Sequence, residues 1–122
     1  MEKKRILLVD DDPAYAKMVR EWLRDLYRTD VVTAGKQAVR FLSKNKVDLV
    51  LLDYEMPELN GPQVLEMLRK DPETADIPIV FLTGAASKEG IISTVLDLKP
   101  DGFLQKTATK ADIISFLNER LN

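Results

Sequence analysis

The 122-residue chain contains no cysteine and no histidine. These absences exclude disulfide bonds, thiol catalysis, the usual zinc sites and catalysis by a histidine base. Any bound metal must therefore be held by oxygen ligands, which favours magnesium, manganese or calcium. The chain also has no histidine that could itself carry a phosphoryl group.

The sequence also lacks a long apolar run and a strong excess of charge of one sign. No stretch approaches the length of a membrane span, so we expect a cytoplasmic protein without a membrane partner. The net charge is −2, and basic residues do not cluster beyond Lys3-Lys4-Arg5, so we expect no direct contact with nucleic acid. The length predicts one domain over residues 1–122.

Short apolar runs alternate with amphipathic stretches along the chain. The runs predict strands at residues 6–9, 31–34, 49–53, 78–82 and 103–105. Helices are predicted to begin near Asp12-Pro13, Gly35, Asn60, Ser87 and Thr109, where capping residues, proline or glycine stand. Five such strand–helix units imply an α/β fold with a parallel sheet and helices on both faces.

The first predicted helix carries a wide apolar stripe. Its apolar residues recur at four-residue spacing and predict the face that packs on the sheet: Ala14, Met18, Trp22 and Leu26, with Val19 and Leu23 beside them. Residues 27–30 are predicted to be a polar break before the second strand.

Polar side chains stand at the ends of four predicted strands: Asp10 with Asp11, Asp53, Thr83 and Lys106. Because the carboxyl ends of parallel strands lie along one edge of the sheet, we expect these side chains to converge in one crevice. The adjacent acids at the first strand end repel each other, which favours a compensating cation. Asp53 is the candidate reactive group, and the alternative is that it only solvates a strand end.

Four motifs in this order resemble one protein family over nearly the whole chain. They are Ile-Leu-Leu-Val-Asp-Asp at 6–11, Asp-Tyr-Glu-Met-Pro-Glu-Leu-Asn-Gly at 53–61, Leu-Thr-Gly at 82–84 and Phe-Leu-Gln-Lys at 103–106. This set resembles the receiver domain of two-component response regulators, including the chemotaxis regulators. The resemblance implies the flavodoxin-like (βα)5 fold, a three-layer sandwich with strand order 2-1-3-4-5.

The resemblance also implies a role for each residue at the strand ends. Asp53 would be the phosphoacceptor, and Mg²⁺, for which Mn²⁺ could substitute, would be held by Asp10, Asp11, Asp53 and the backbone carbonyl of Glu55. Lys106 would be the site lysine, Thr83 the switch hydroxyl and Phe103 the switch aromatic. The family usually has proline after the lysine. Here Thr107 follows, which predicts a loop that aims the lysine less rigidly.

The partners implied by the resemblance are signalling proteins. A sensor histidine kinase or a histidine phosphotransfer protein would supply the phosphoryl group. Phosphorylation would change a surface formed by the fourth predicted helix, the fifth strand and the last helix, which a downstream effector domain or protein would read. We expect a monomer or a phosphorylation-dependent dimer, either a stand-alone regulator or a domain of a longer protein. At most, it would catalyse its own phosphorylation and dephosphorylation.

Two other functions remain open from the sequence. A magnesium-dependent phosphohydrolase would also use an aspartyl nucleophile, but such enzymes tend to need a second aspartate two residues later as an acid. Glu55 has that spacing with a longer side chain, and the chain has no evident cap over a substrate. A degenerate receiver would bind partners without phosphorylation, and the presence of all five site residues argues against it.

Overall fold

The computed structural model describes residues 2–84 and 99–122. Its strands are β1 Arg5–Val9, β2 Arg28–Val32, β3 Leu49–Asp53, β4 Ile79–Thr83 and β5 Gly102–Gln105. Its helices are α1 Pro13–Leu23, α2 Gly35–Lys44, α3 Gly61–Lys70 and a C-terminal helix, Lys110–Leu121. The helix predicted to begin at Ser87, with Ile91, Ile92, Val95 and Leu96 facing inward, lies outside the described residues. None of the described helices is long and apolar enough to cross a membrane.

The five strands form one parallel sheet in the order β2-β1-β3-β4-β5, so the predicted flavodoxin-like fold and strand order are confirmed. In this register Val9 lies beside Leu52, and Asp53 lies beside Leu82. The strand ends of β1, β3 and β4 therefore stand next to one another along one edge. This arrangement is what brings residues from distant parts of the sequence into a single crevice.

Two apolar layers join the sheet to the described helices, one on each face. Successive side chains of a strand point to opposite faces, so each central strand contributes to both layers. One layer joins the sheet to α2 and α3 and includes Leu7, Val50 and Leu52. The other joins it to α1 and the C-terminal helix and includes Leu8 and Leu51. All these strand side chains are fully buried, so β1 and β3 form the rigid centre of the domain.

Side-chain caps fix where three of the helices begin, as the sequence predicted. The Asp12 carboxylate accepts hydrogen bonds from the first turn of α1. Asn60 and Gln63 form a reciprocal capping box at the start of α3, and Thr109 and Asp112 form another on the C-terminal helix. These caps satisfy backbone N–H groups that a helix leaves unpaired.

The position predicted for the second strand was wrong. The strand begins at Arg28 rather than Val31, and Tyr27, predicted to lie in a polar break, is 3% exposed. As the edge strand of the sheet, β2 can carry charged side chains that a central strand cannot. The Arg5 guanidinium lies 2.9 Å from the Asp30 carboxylate, so the two charges within neighbouring strands neutralise each other.

The apolar stripe predicted for the first helix was also partly wrong. The helix ends at Leu23, and its buried residues are Ala16, Val19 and Leu23. Met18 is 37% exposed, and Leu26, which follows the helix, is 47% exposed. A spacing of three and then four residues follows the helical repeat more closely than a constant spacing of four. The face centred on Val19 therefore meets the sheet.

Candidate functional site

Three carboxylates meet beyond the carboxyl ends of β1 and β3. Asp10, Asp11 and Asp53 each offer one carboxylate oxygen, and these oxygens lie within 4.8 Å of one another. Asp10 and Asp53 are buried, at 0% and 3% exposure, while Asp11 is exposed. The sequence predicted this convergence, and the structure brings the three residues together.

Backbone groups of the following turns hold the two buried carboxylates. The Asp12 N–H donates to Asp10 Oδ1 at 2.9 Å, and the Glu55 N–H donates to Asp53 Oδ1 at 3.3 Å. Gly61 packs directly against the end of β3, because a Cβ atom there would lie 2.5 Å from the Asp53 carbonyl oxygen. Only a residue without a side chain allows α3 to begin this close to the end of β3.

The ammonium group of Lys106 reaches the same cluster from the end of β5. Its Nζ atom lies 2.9 Å from Asp10 Oδ2 and 3.2 Å from Asp53 Oδ2. The Lys106 N–H also donates to the carbonyl of Thr83 at 2.9 Å, which ties the residue to the end of β4. One cation therefore bridges two buried acids, as an ion pair in a partly desolvated site.

The pKa of Asp53 is raised to about 7, chiefly by burial and then by the adjacent charge of Asp10, while Lys106 acts to lower it. For Lys106, burial acts to lower the pKa, but its contacts with Asp10 and Asp53 outweigh burial and leave the pKa above its usual value. A single ammonium therefore does not compensate the acid cluster fully. An additional cation at the cluster would stabilise the ionised form of Asp53.

The donor set fits a hard divalent cation. Three carboxylates in close proximity, in a chain without cysteine or histidine, offer the hard oxygen ligands that Mg²⁺ takes. Asp10 Oδ2 is buried and, apart from its ionic contact with Lys106, makes no hydrogen bond within the described residues. This oxygen therefore has an unused acceptor site. The chemistry of the cluster is compatible with magnesium.

Thr83 stands at the end of β4, where the sequence predicted it, and it is buried. Its hydroxyl lies 3.5 Å from the carbonyl of Leu104 on β5, at the outer limit of a hydrogen bond. A donor held this weakly can turn toward a stronger acceptor. Thr83 therefore shares the edge of the sheet with the acids, but its hydroxyl points to β5.

Phe103 lies on the opposite face of β5 from the acid cluster and is 38% exposed. Its ring stacks on Phe81 of β4, with ring centroids 6.0 Å apart. Phe81 in turn meets the edge of Tyr54, the residue after Asp53, at 5.5 Å. These three aromatic rings form a continuous row from the end of β3 to β5. The sequence did not indicate this row, because it depends on the register of three strands.

Tyr15 is the residue of the site that sequence reasoning missed. It lies on α1, and its ring centroid is 5.0 Å from Lys106 Nζ. Burial raises the pKa of Tyr15 to about 12, with the charges of Asp10 and Asp53 acting in the same direction against Lys106. Its place in the sequence, three residues after the capping residue Asp12, gives little indication of a role in the site. The contact with Lys106 is visible only in the folded structure.

The family model described as "Response regulator receiver domain" matches residues 6–118. Among curated proteins, the DNA-binding response regulator MtrA of Mycolicibacterium smegmatis is 35% identical over 98% of this chain and 51% of its own length. A probable cyclic di-GMP phosphodiesterase of Vibrio cholerae is 39% identical over 69% of this chain, but over only 19% of its own length. The chain thus spans about half or less of these two relatives.

Solved structures agree with the family match. The receiver domain of a sensor histidine kinase from Pseudomonas aeruginosa, with a magnesium ion coordinated in the active site cleft, has a TM-score of 0.88 to this chain. It is 29% identical, and the alignment covers 98% of each chain. The resemblance stated from the sequence motifs is therefore confirmed.

Proposed function

Since the chain belongs to the family of response regulator receiver domains, we propose that Asp53 accepts a phosphoryl group from a phosphohistidine of a partner protein. Receiver domains of this family are signalling modules that act with histidine kinases. The observation that best supports the proposal is the bridge from Lys106 to both Asp10 and Asp53, at 2.9 and 3.2 Å. It holds one ammonium within ion-pairing distance of the buried Asp53 carboxylate and of a second buried acid.

The reaction is a displacement at phosphorus. One carboxylate oxygen of Asp53 forms a bond to phosphorus while the bond from phosphorus to the donor's imidazole nitrogen breaks. The electron pair of that bond stays on the imidazole, which then takes up a proton. Because the attacking and transferred groups are both anionic, most of the protein's contribution is positioning and neutralisation of charge. Attack by water on the acyl phosphate later restores the carboxylate.

Asp10, Asp11, Asp53 and the backbone carbonyl of Glu55 would hold Mg²⁺, for which Mn²⁺ could substitute. The bound cation would neutralise the charge that accumulates when a phosphoryl group approaches three carboxylates. Lys106 contributes a second positive charge from the β5 side. Its ammonium can pair with a phosphoryl oxygen once a group is bound to Asp53.

Thr83 and Phe103 would change conformation in response to the charge of a phosphoryl group on Asp53. The weak hydrogen bond from Thr83 to Leu104 can be exchanged for a charge-assisted one to a phosphoryl oxygen. That movement leaves space beside β5, into which the partly exposed ring of Phe103 can rotate. The surface of β5, the C-terminal helix and the predicted fourth helix would then change, through a local charge event that biases two conformations.

We propose that the domain acts in the cytoplasm between two protein partners. A sensor histidine kinase or a histidine phosphotransfer protein would supply the phosphoryl group. A downstream effector domain or protein would read the altered surface, with the receiver itself not touching nucleic acid. The domain would be a monomer or a phosphorylation-dependent dimer, and its own catalysis would be limited to gaining and losing the phosphoryl group.

The proposal is tested by incubating the chain with acetyl phosphate and Mg²⁺ and measuring its intact mass. We expect a gain of about one phosphoryl group, lost in Asp53→Asn and retained in Glu55→Gln, which keeps the backbone carbonyl. Thr83→Ala should still be phosphorylated but should lose the change in NMR shifts of β5 amides.

Other outcomes would contradict the proposal. Continuous release of phosphate from many phosphate esters, with no stable gain in mass, would indicate a phosphohydrolase. An unmodified chain whose partner binding does not change in Asp53→Asn would indicate a degenerate receiver. Phosphorylation that survives Asp53→Asn would place the acceptor elsewhere.

A further inference from the structure

Among the described residues, the Lys106 ammonium has contacts with two carboxylates and with one uncharged side chain. It contacts the carboxylates of Asp10 and Asp53 and lies over the ring of Tyr15, 5.0 Å from the ring centroid. The Tyr15 side chain is partly buried and packs against the apolar layer between the sheet and α1. The ring is therefore held in place by the core, independently of the charges around it.

The two carboxylates cannot fix the ammonium throughout the proposed reaction. Asp10 Oδ2 is the closest acidic contact of Lys106, and it belongs to the cluster that fits a divalent cation. A cation held by Asp10 and Asp53 would weaken the attraction of both acids for the ammonium and would itself repel it. Without a further contact, Lys106 would be free to turn toward solvent, since its side chain is already 26% exposed.

We infer that Tyr15 is a positioning residue that keeps the Lys106 ammonium beside Asp53. The face of an aromatic ring attracts a cation but carries no net charge, so it neither competes for the metal nor is neutralised by it. The inference rests on the proposed function for its consequence, which is faster phosphorylation of Asp53. The contact between Tyr15 and Lys106 is itself observed in the structure and does not depend on the proposed function.

The ring, and not the hydroxyl, carries this role. Tyr15 Oη is buried and has no hydrogen-bond partner within the described residues, so the hydroxyl is not what secures the side chain. Tyr15→Phe keeps the ring and removes this group, whereas Tyr15→Leu keeps an apolar side chain and removes the aromatic face. The two variants form a matched pair, and Tyr15→Met serves if the leucine variant fails to fold.

The first measurement follows the ε-methylene protons of Lys106 by ¹³C–¹H NMR, assigned by their loss in Lys106→Met. Protons above an aromatic face are shifted upfield. We expect that shift in the wild type and in Tyr15→Phe, with and without Mg²⁺, and its loss in Tyr15→Leu. An unchanged Lys106 resonance in the leucine variant would overturn the inference, whether or not Asp53 is ever phosphorylated.

The second measurement is the rate of phosphorylation by acetyl phosphate at saturating Mg²⁺. We expect Tyr15→Leu to slow it by about threefold to tenfold, the range a partly exposed cation–π contact supplies, and Tyr15→Phe to restore it. In the Lys106→Met background, Tyr15→Leu should cause no further loss, because the contact is already absent. An equal loss in both backgrounds would assign Tyr15 a structural role only. If the wild type takes up no phosphoryl group, the proposed function fails and the NMR result alone decides the inference.

Discussion

The strands β3 and β5 carry the two halves of the site, and they are packed very differently. All five side chains of β3 are buried, and the strand pairs with β1 on one side and β4 on the other. In β5 only Leu104 is buried, and among the described strands β5 pairs with β4 alone. Asp53 is the last residue of the first strand, whereas Lys106 directly follows the second.

Under the proposed function, this difference would separate the group that reacts from the groups that respond. A buried central strand opens only when the whole domain unfolds, whereas an edge strand with few buried contacts can open or shift locally. Asp53 therefore stays fixed relative to Asp10. For Phe103 and Lys106, in and directly after β5, we expect rearrangement to cost less free energy than in β3. A conformational switch needs a fixed part beside a part that can move, and we expect β3 and β5 of this sheet to provide them.

We expect the largest effect on stability when the two stacked rings of β4 and β5 are each replaced by alanine. Phe81 is fully buried and Phe103 is 38% exposed, although the rings touch. Phe81→Ala should lower the free energy of unfolding by about 3–5 kcal/mol because it leaves a cavity. Phe103→Ala should cost about 1 kcal/mol, since much of its ring is already in water. If urea unfolding showed the same loss of unfolding free energy in both variants, the contrast between the buried strand β4 and the edge strand β5 would be contradicted.

A smaller effect concerns the charge at the end of β3. The pKa of Asp53 is raised to about 7, chiefly by burial. As the pH rises through the window from about 4 to about 7, the unfolded chain releases this proton before the folded chain does, so the wild type loses stability there. In EDTA, Asp53→Asn should therefore melt higher than the wild type at pH 8, by about 5 °C or more, with a smaller difference at pH 5.

The exposed Asp76 provides the control for this pH dependence. Asp76→Asn should shift the melting temperature little and by a similar amount at both pH values. If the difference between Asp53→Asn and the wild type were the same at pH 5 and pH 8, the buried carboxylate would not be the source of the pH dependence.

The smallest expected effect concerns the ammonium at the end of β5. Because Lys106 lies 2.9 and 3.2 Å from two carboxylates, it competes with a divalent cation for them. Lys106→Met should therefore tighten Mg²⁺ binding by about threefold to tenfold, as measured by isothermal titration calorimetry. Lys70→Met is the matched control, because that lysine pairs with Glu66 on α3. Weaker binding in Lys106→Met would show that the lysine assists the cation instead.

The central part of the fold and the acid cluster could be predicted from the sequence because local signals coincide there. The apolar run before Asp53 and the caps at Asn60 and Thr109 each specify one local structure, and the structure has them all. Parallel topology then places the strand ends together without any further information.

The edge of the sheet and the contacts between elements could not be predicted in the same way. The start of β2 was misplaced because Arg28 and Asp30 resemble a loop until Arg5 is seen beside Asp30. The contact of Tyr15 with Lys106 joins residues 91 positions apart in the chain, and no periodicity encodes it. Such pairings follow from how helices pack on the sheet, which local sequence patterns do not specify.

Gly61 restricts how the end of β3 can move. A Cβ atom there would meet the Asp53 carbonyl oxygen at 2.5 Å and both the Phe81 ring and Tyr54 Cα at 2.9 Å. The start of α3 thus packs tightly against the end of β3. The Gly61 N–H also donates a hydrogen bond to the Tyr54 carbonyl. This close packing resists backward movement of the Asp53 backbone. If a bulky, charged group is attached to Asp53, as proposed, we therefore expect the end of the strand to shift toward β4 and β5.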